Sequence, residues 1–324
     1  MLFKYPIYIV LFLYLIGCSS TLPPREFLTP SINQVKGSLY AKFFGTSTVY
    51  ITDGNNSVMV DGFFTRQGYF KTLATRMKSN EINVNYALER AGVEDVDILL
   101  VSHSHYDHAL DSENTALLTG ATLMGSNRTI FLSPRAKSKK INIDEVIHLG
   151  DFEISFYETP HVRKGSFLQI IEKLILWSTG GLRFKDKAEV YSYFLQHPKG
   201  NILIIPSSGF SSDIKLPATV DFVFLSIGLL SKQSTEYIEN YWQQAVVETC
   251  AKHVIPIHWD NFSKPLKQPI TTSPKFIDDI SKTLDILKKL ATHSNCTNSS
   301  VEISFPPAYE AFLIDGKSES RVSK

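Results

Sequence analysis

The chain has 324 residues, 33 of them basic and 32 acidic, for a formal net charge of +1, and 43% of it is hydrophobic. So even a balance supplies no field for a polyanion, and nucleic acid is not an expected partner. The length allows one large domain or two small ones, with enough apolar residues to fill a core.

Lys4 is followed by a nearly all-apolar run, Tyr5 to Ile16. That run is short of the roughly 20 residues a transmembrane helix needs, and it fits the apolar centre of a secretory signal. Leu15-Ile16-Gly17-Cys18, followed by Ser19 and Ser20, resembles the lipobox of a bacterial lipoprotein signal. The resemblance implies cleavage before Cys18 and lipidation of that cysteine. Residues 1–17 are then the signal peptide, 18–36 the lipidated cysteine with a tether that lifts the domain off the membrane, and 37–324 the folded domain. Acyl chains on Cys18 would hold an exported protein in the bacterial envelope without spanning the bilayer. Ser19 matches the pattern sorted to an outer membrane, facing the periplasm. An exported chain meets an oxidising compartment, where Cys250 and Cys296 either pair as a disulfide or stay as buried thiols.

From Ser38 the texture is that of strands. Leu39–Phe44 and Val49–Thr52 read as strands, Asp53-Gly-Asn-Asn56 as a hairpin turn, and Ser57–Val60 as the returning strand, which ends at Asp61. Asn80 reads as the N-cap of a helix that closes near Gly92. Val96–Ser102 is a buried strand, and a short helix capped by Asp111 follows, then a strand at Ala121–Met124. Glu153–Tyr157 alternates as a strand and leads to Thr159-Pro160-His161. Val190–Leu195 and Asn201–Ile205 flank a hairpin turn, His197-Pro-Lys-Gly200. Val220–Ile227 is a strand, residues 235–251 are helical, and His253–His258 is a strand again. Ser273-Pro274 opens a helix with Ile277, Ile280, Leu284, Leu287 and Leu290 on one stripe, and Val301–Phe305 is the last strand. No linker divides the body, so one domain of two mixed sheets with helices outside is expected.

The most informative run is His103-Ser-His105-Tyr-Asp107-His108, directly after the apolar strand. It places three imidazoles and a carboxylate at a strand end, a donor set that suits a borderline metal such as zinc. His161 and His258 also follow apolar strands, and strand ends converge on one edge of a sheet. His148, His197, His253 and His293 lack such context.

The run resembles the HxHxDH motif of the metallo-β-lactamase superfamily. The strand ending in Asp61, His161, and His258 in Ile257-His258-Trp259-Asp260 match further motifs of that family in their order, so that the resemblance runs from about Leu39 to Phe305. It implies a four-layered αβ/βα sandwich of two mixed β-sheets, an α/β (α+β) fold, with metal at one edge between the sheets. It implies that His103, His105 and His161 hold a first metal and that Asp107, His108 and His258 hold a second. Asp61 would support the ligand loop from behind, and Asp260 either orients His258 as a second support, lines the pocket or sits in a surface turn. One departure stands out: the family's fourth motif supplies a bridging aspartate, whereas Ile202-Leu-Ile-Ile-Pro-Ser207-Ser208-Gly209 has no carboxylate, and Ser207, a weaker neutral donor, is the best match.

Such a site, carrying one or two Zn²⁺ or another divalent transition metal, makes hydroxide available near neutral pH for attack on a carbonyl carbon or a phosphorus. The second metal, or a proton on Asp107, would steady the developing oxyanion and the leaving group. His258-Trp259-Asp260-Asn261-Phe262 resembles the branch with lactonase-like and N-acyl-phosphatidylethanolamine phospholipase D-like hydrolases, which implies an ester, lactone or phosphodiester, small or lipid-like, at the cell envelope. The alternative is a non-catalytic envelope lipoprotein that keeps the fold to bind a metal or a ligand. The apolar stretch Phe167–Trp177, followed by Gly180-Gly181, reads either as a core helix or as a hydrophobic flap over the pocket.

Overall fold

The computed structural model describes residues 21–22, 31, 37–68, 77–162, 189–267, 269–292 and 300–316. The signal peptide, Cys18, Cys296, His293, the Phe167–Trp177 stretch and Gly180-Gly181 lie outside the described residues. Among the described residues, no helix is long and apolar enough to cross a membrane.

The chain builds two seven-stranded mixed sheets with helices packed outside them, the expected sandwich. In the first sheet, β1 (Tyr40–Phe43), β2 (Val49–Thr52) and β3 (Ser57–Val60) run antiparallel. The Asp53 carboxylate makes the β2–β3 turn, its Oδ1 accepting the N–H groups of Asn55 and Asn56 at 2.8 Å each. Helix α1 (Glu81–Ala91) then carries the chain to β4 (Ile98–Leu100), parallel to β3. As expected, Asn80 caps α1 by accepting from Ile82 N, and Gly92 ends it. Helices α2 (Tyr106–Ala109) and α3 (Ser112–Thr119) lead to β5 (Thr122–Gly125), and α4 (Asn127–Leu132) to β6 (Ser138–Lys140).

The second sheet begins with antiparallel β7 (Ile147–Leu149), β8 (Phe152–Glu158), β9 (Tyr191–Gln196) and β10 (Ile202–Ile205). It continues in parallel through β11 (Phe222–Ser226), β12 (His253–Ile257) and β13 (Glu302–Ile303). Helix α5 (Thr235–Trp242), which runs on as a π-helical turn over Gln243–Val247, connects β11 to β12; α6 (Ile280–Ala291) connects β12 to β13.

Period-two alternation sorts the first sheet's side chains. Leu39, Ala41, Phe43, Val49, Ile51, Val58 and Val60 join the core shared with the second sheet, while Tyr40, Tyr50 and Met59 face the other way, against α1.

Three local expectations are corrected. Asp111 stands just before α3 but does not cap it: its carboxylate accepts from Phe64 N, Thr65 N, Thr65 Oγ1 and Ser79 Oγ, pinning the loop after β3. Helix α6 starts at Ile280 under Asp279 and not at Ser273-Pro274, because the neighbouring Asp278 carboxylate takes Leu229 N and Ser231 Oγ and holds residues 274–278 as a turn. Nor is Val301–Phe305 the last strand: β14 (Ala311–Leu313) follows and returns to the first sheet beside β1. Of the segment read as a tether, Thr21 is hydrogen-bonded to the domain: Thr272 N donates to Thr21 O at 2.8 Å and Thr21 N to Thr272 Oγ1 at 3.0 Å. Cys250 is disulfide-bonded.

Candidate metal centre

The strand ends β3, β4, β8, β10 and β12 open on one edge of the sandwich, and every residue singled out from the motifs lies there. His103, His105 and His161 each offer a ligand atom, and those three atoms lie within 4.8 Å of one another; the same holds for Asp107, His108 and His258. The two triads abut, with the His103 and His108 rings 3.9 Å apart between centroids.

Hydrogen bonds fix which ring nitrogen faces inward. Val162 O, a carbonyl that can only accept, lies 2.9 Å from His161 Nδ1, so that ring donates from Nδ1 and keeps Nε2 as its lone-pair nitrogen; the Ser102 hydroxyl lies 3.0 Å from His103 Nδ1, a partner compatible with the same tautomer. His103 Nε2 stands 3.1 Å from His105 Nδ1. Two donors of a tetrahedral zinc site with bonds of 2.0–2.1 Å stand about 3.3 Å apart, so the spacing suits a shared cation. Burial first, then the neighbouring His108, His105 and His161, push His103 well below the ordinary histidine range, which keeps it a neutral ligand.

In the second triad Asp61 Oδ2 accepts from His108 Nδ1 at 2.7 Å, turning His108 Nε2 toward Asp107 Oδ2, 3.6 Å away. His258 Nε2 is 3.4 Å from the same carboxylate oxygen. Burial alone would raise Asp107, yet His108, His258 and His105 hold it far below the usual carboxylate range. Burial alone would lower His258, and Asp107 with Asp260 holds it above its ordinary value.

Further polar contacts lie behind the ligands. Asp61 is fully buried and also accepts from Ser102 N at 2.7 Å and from Ser47 Oγ, so it ties the loop after β4 to the end of β3. Asp260 does not face the ligands. Its Oδ1 accepts from Thr46 N at 2.5 Å and its Oδ2 pairs with Arg66 Nη1 at 2.7 Å, while Thr46 O accepts His258 N at 2.6 Å. Thr46, Asp61 and His258 all sit at positive φ, near +60°, strain that only the surrounding contacts can hold in non-glycine residues. Ser207 Oγ lies 3.3 Å from Val162 N and so accepts from the main chain beside His161. Ser47, Ser102, Thr46 and Arg66 escaped the sequence reading; the one local signal was a lone arginine closing the apolar Asp61-Gly-Phe-Phe-Thr-Arg66 run.

Arg66 passes through a slot kept open by Gly45, whose φ is +90°. A Cβ there would collide with Arg66 Nη2 and come within 2.7 Å of Asp260 Oδ2. Gly45→Ala should therefore destabilise the fold by about 3 kcal/mol through the displaced buried ion pair, and denaturant titration with metal-binding isotherms should show the weakening concentrated on the His258 triad.

A third cluster, Asp53, Asp151 and His197, joins three hairpin turns at the opposite edge. There His197 Nδ1 accepts from Lys199 N at 3.2 Å, so the neutral ring carries its proton on Nε2, 3.6 Å from Asp53 Oδ2. That polarity makes a polar clasp between the sheets, with the Nε2 proton toward the carboxylate, rather than a ligand set.

Fold and site together define a two-sheet sandwich with paired nitrogen and oxygen donor triads at one edge. Residues 41–173 match the family model of the metallo-beta-lactamase superfamily. A UPF0173 metal-dependent hydrolase of Oenococcus oeni is 23% identical over 260 residues, 76% of this chain and 94% of that protein. One of Ligilactobacillus salivarius is 23% identical over 254 residues, 75% of this chain and 97% of that protein. The crystal structure of a possible metal-dependent hydrolase from Veillonella parvula superposes with a TM-score of 0.50 at 12% identity, covering 86% of this chain and 99% of that one, and supports the fold. The match to that superfamily covers residues 41–173, and the two seven-stranded sheets are consistent with its αβ/βα sandwich.

Proposed function

We propose that the protein is a metal-dependent hydrolase of the bacterial envelope, with His103, His105 and His161 holding one zinc and Asp107, His108 and His258 a second. The observation that carries this is the pair of converging triads, whose inward nitrogens are set by acceptors behind them. The hydrolase reading is also supported by the UPF0173 metal-dependent hydrolases that the chain resembles. When bound, zinc acts as a Lewis acid and lowers the pKa of water from 15.7 to about 7.

The chain's own residues do the rest. Asp61 holds His108 in the ligating tautomer, and Thr46 and Asp260 hold the backbone on both sides of His258. Asp107, whose carboxylate lies between His108 and His258, is placed to accept a hydrogen bond from the attacking water and orient it. With a serine in place of the bridging carboxylate, three protein donors serve the second position, which should bind metal more weakly than the first. The substrate class is an ester, lactone or phosphodiester, small or lipid-like. The lipobox ending at Cys18 supports an anchor at the outer membrane, and the disulfide at Cys250 suits an oxidising compartment.

The test is metal removal. Protein beginning at Ser19 should lose hydrolysis of a lactone and phosphodiester panel on chelation and regain it with Zn²⁺, and should carry between one and two metal equivalents by elemental analysis. Metal bound at these stoichiometries without turnover on any of the panel would overturn the hydrolase reading in favour of a binding lipoprotein.

A further inference from the structure

The chain that leaves the anchor does not reach the domain at a remote point. Thr21 exchanges two hydrogen bonds with Thr272, and their hydroxyls lie 3.3 Å apart. Thr272 in turn forms an antiparallel bridge with Asp260, flanked by Asn261 N donating to Thr271 O at 2.7 Å and Ser273 Oγ donating to Asp260 O at 3.2 Å. Asp260 is two residues past His258. Thr21, Thr272 and Asp260 thus make three neighbouring rungs that end at the rim of the metal centre, about 10 Å across at the usual strand spacing.

Cys18 precedes Thr21 by three residues, a span of at most about 11 Å even when fully extended. Large apolar side chains are exposed on both partners of this staple: Leu22 next to Thr21 is 63% exposed, and Phe276, four residues past Thr272, is 41% exposed. Lys275 beside Phe276 is exposed as well. Apolar side chains flanked by a cation, close to an acyl anchor, are what an interfacial contact uses.

We infer that the Thr21–Thr272 staple holds the domain face-on to the bilayer, with Leu22 and Phe276 in the lipid interface and the His258 rim of the metal centre turned toward the membrane. The inference rests on the lipid-anchor reading of Cys18. A long slack tether would let the site face any direction; a docked one of three residues sets it.

The experiment uses the full-length lipidated protein in vesicles of phosphatidylethanolamine and phosphatidylglycerol, with and without brominated acyl chains. Leu22→Trp and Phe276→Trp should lose fluorescence to the brominated lipid. Val146→Trp, at an exposed position between the sheet edges β6 and β7 on the far side of the sandwich, should not. A Gly/Ser insertion of about twelve residues between Cys18 and Ser19, long enough to act as a flexible coil, should abolish the quenching. Equal quenching at all three positions, quenching at none, persistence through the insertion, or a protein that fails to float with vesicles would each overturn the inference. Hydrolysis of a soluble substrate by the same samples is independent of these readouts, so the failure of one reading is told apart from the failure of the other.

Discussion

Replacing His105 by alanine should lower kcat/KM by more than the roughly 100-fold that marks the upper end for a residue behind the ligands, a loss of at least about 2.7 kcal/mol of transition-state stabilisation. His105 offers its nitrogen to the first triad at 3.1 Å from His103 Nε2, and no other donor of the described residues is grouped with that triad. Stability should hardly change in the metal-free protein. His105 is only half-buried, and its removal relieves one of the neighbours that push His103 down. Steady-state kinetics, metal content and thermal melts in chelator check the three parts together. An active His105→Ala protein would mean that the first triad is not where the chemistry happens.

Asp61→Ala should have the largest effect on stability. The carboxylate is fully buried and accepts from Ser102 N, Ser47 Oγ and His108 Nδ1, so its loss leaves three donors without their acceptor at one point. Breaking a buried set of this kind costs about 3–5 kcal/mol, which corresponds to a melting shift on the order of 10 °C. Asp61→Asn separates packing from chemistry. The amide keeps the shape and one acceptor, but its NH₂ meets His108 Nδ1–H, and the ring must turn its lone pair outward and its proton toward Asp107. The second triad should then bind metal about 10–100-fold more weakly while the protein melts closer to wild type. A titration of metal-free protein with Zn²⁺ reads this directly, and unchanged affinity of the weaker site would contradict the role given to Asp61.

The centre itself was legible in the sequence because its signals are local. Six residues after a strand carry four donors, and His161, His258 and Asp61 each mark the end of an apolar run. What the sequence did not show arises where separate turns meet. Thr46 and Arg66 reach the His258 loop only once β1 packs near the end of β12, and the lone arginine closing an apolar run is the single local hint of that meeting. Asp111 misled for the same reason: by local propensity it is a helix cap, yet four donors from the loop after β3 and from Ser79 take its oxygens. Ser273-Pro274 is a good helix opening by itself, but the Asp278 carboxylate is drawn into the loop around Leu229 and Ser231. Strand β14 is three residues long and carries too little alternation to be seen apart from β1, which it covers. His197 lacked any motif and is a buried partner of Asp53 between the sheets, a pairing set by two hairpin turns far apart in the chain.

The central claim is that two metal positions lie side by side at the sandwich edge. Anomalous diffraction from crystals of zinc-loaded protein, recorded on either side of the zinc absorption edge, tests it most directly. The account predicts one peak bounded by His103, His105 and His161, and a second, of lower occupancy, bounded by Asp107, His108 and His258. No peak at either triad, or zinc gathered at Asp53, Asp151 and His197 instead, would contradict it.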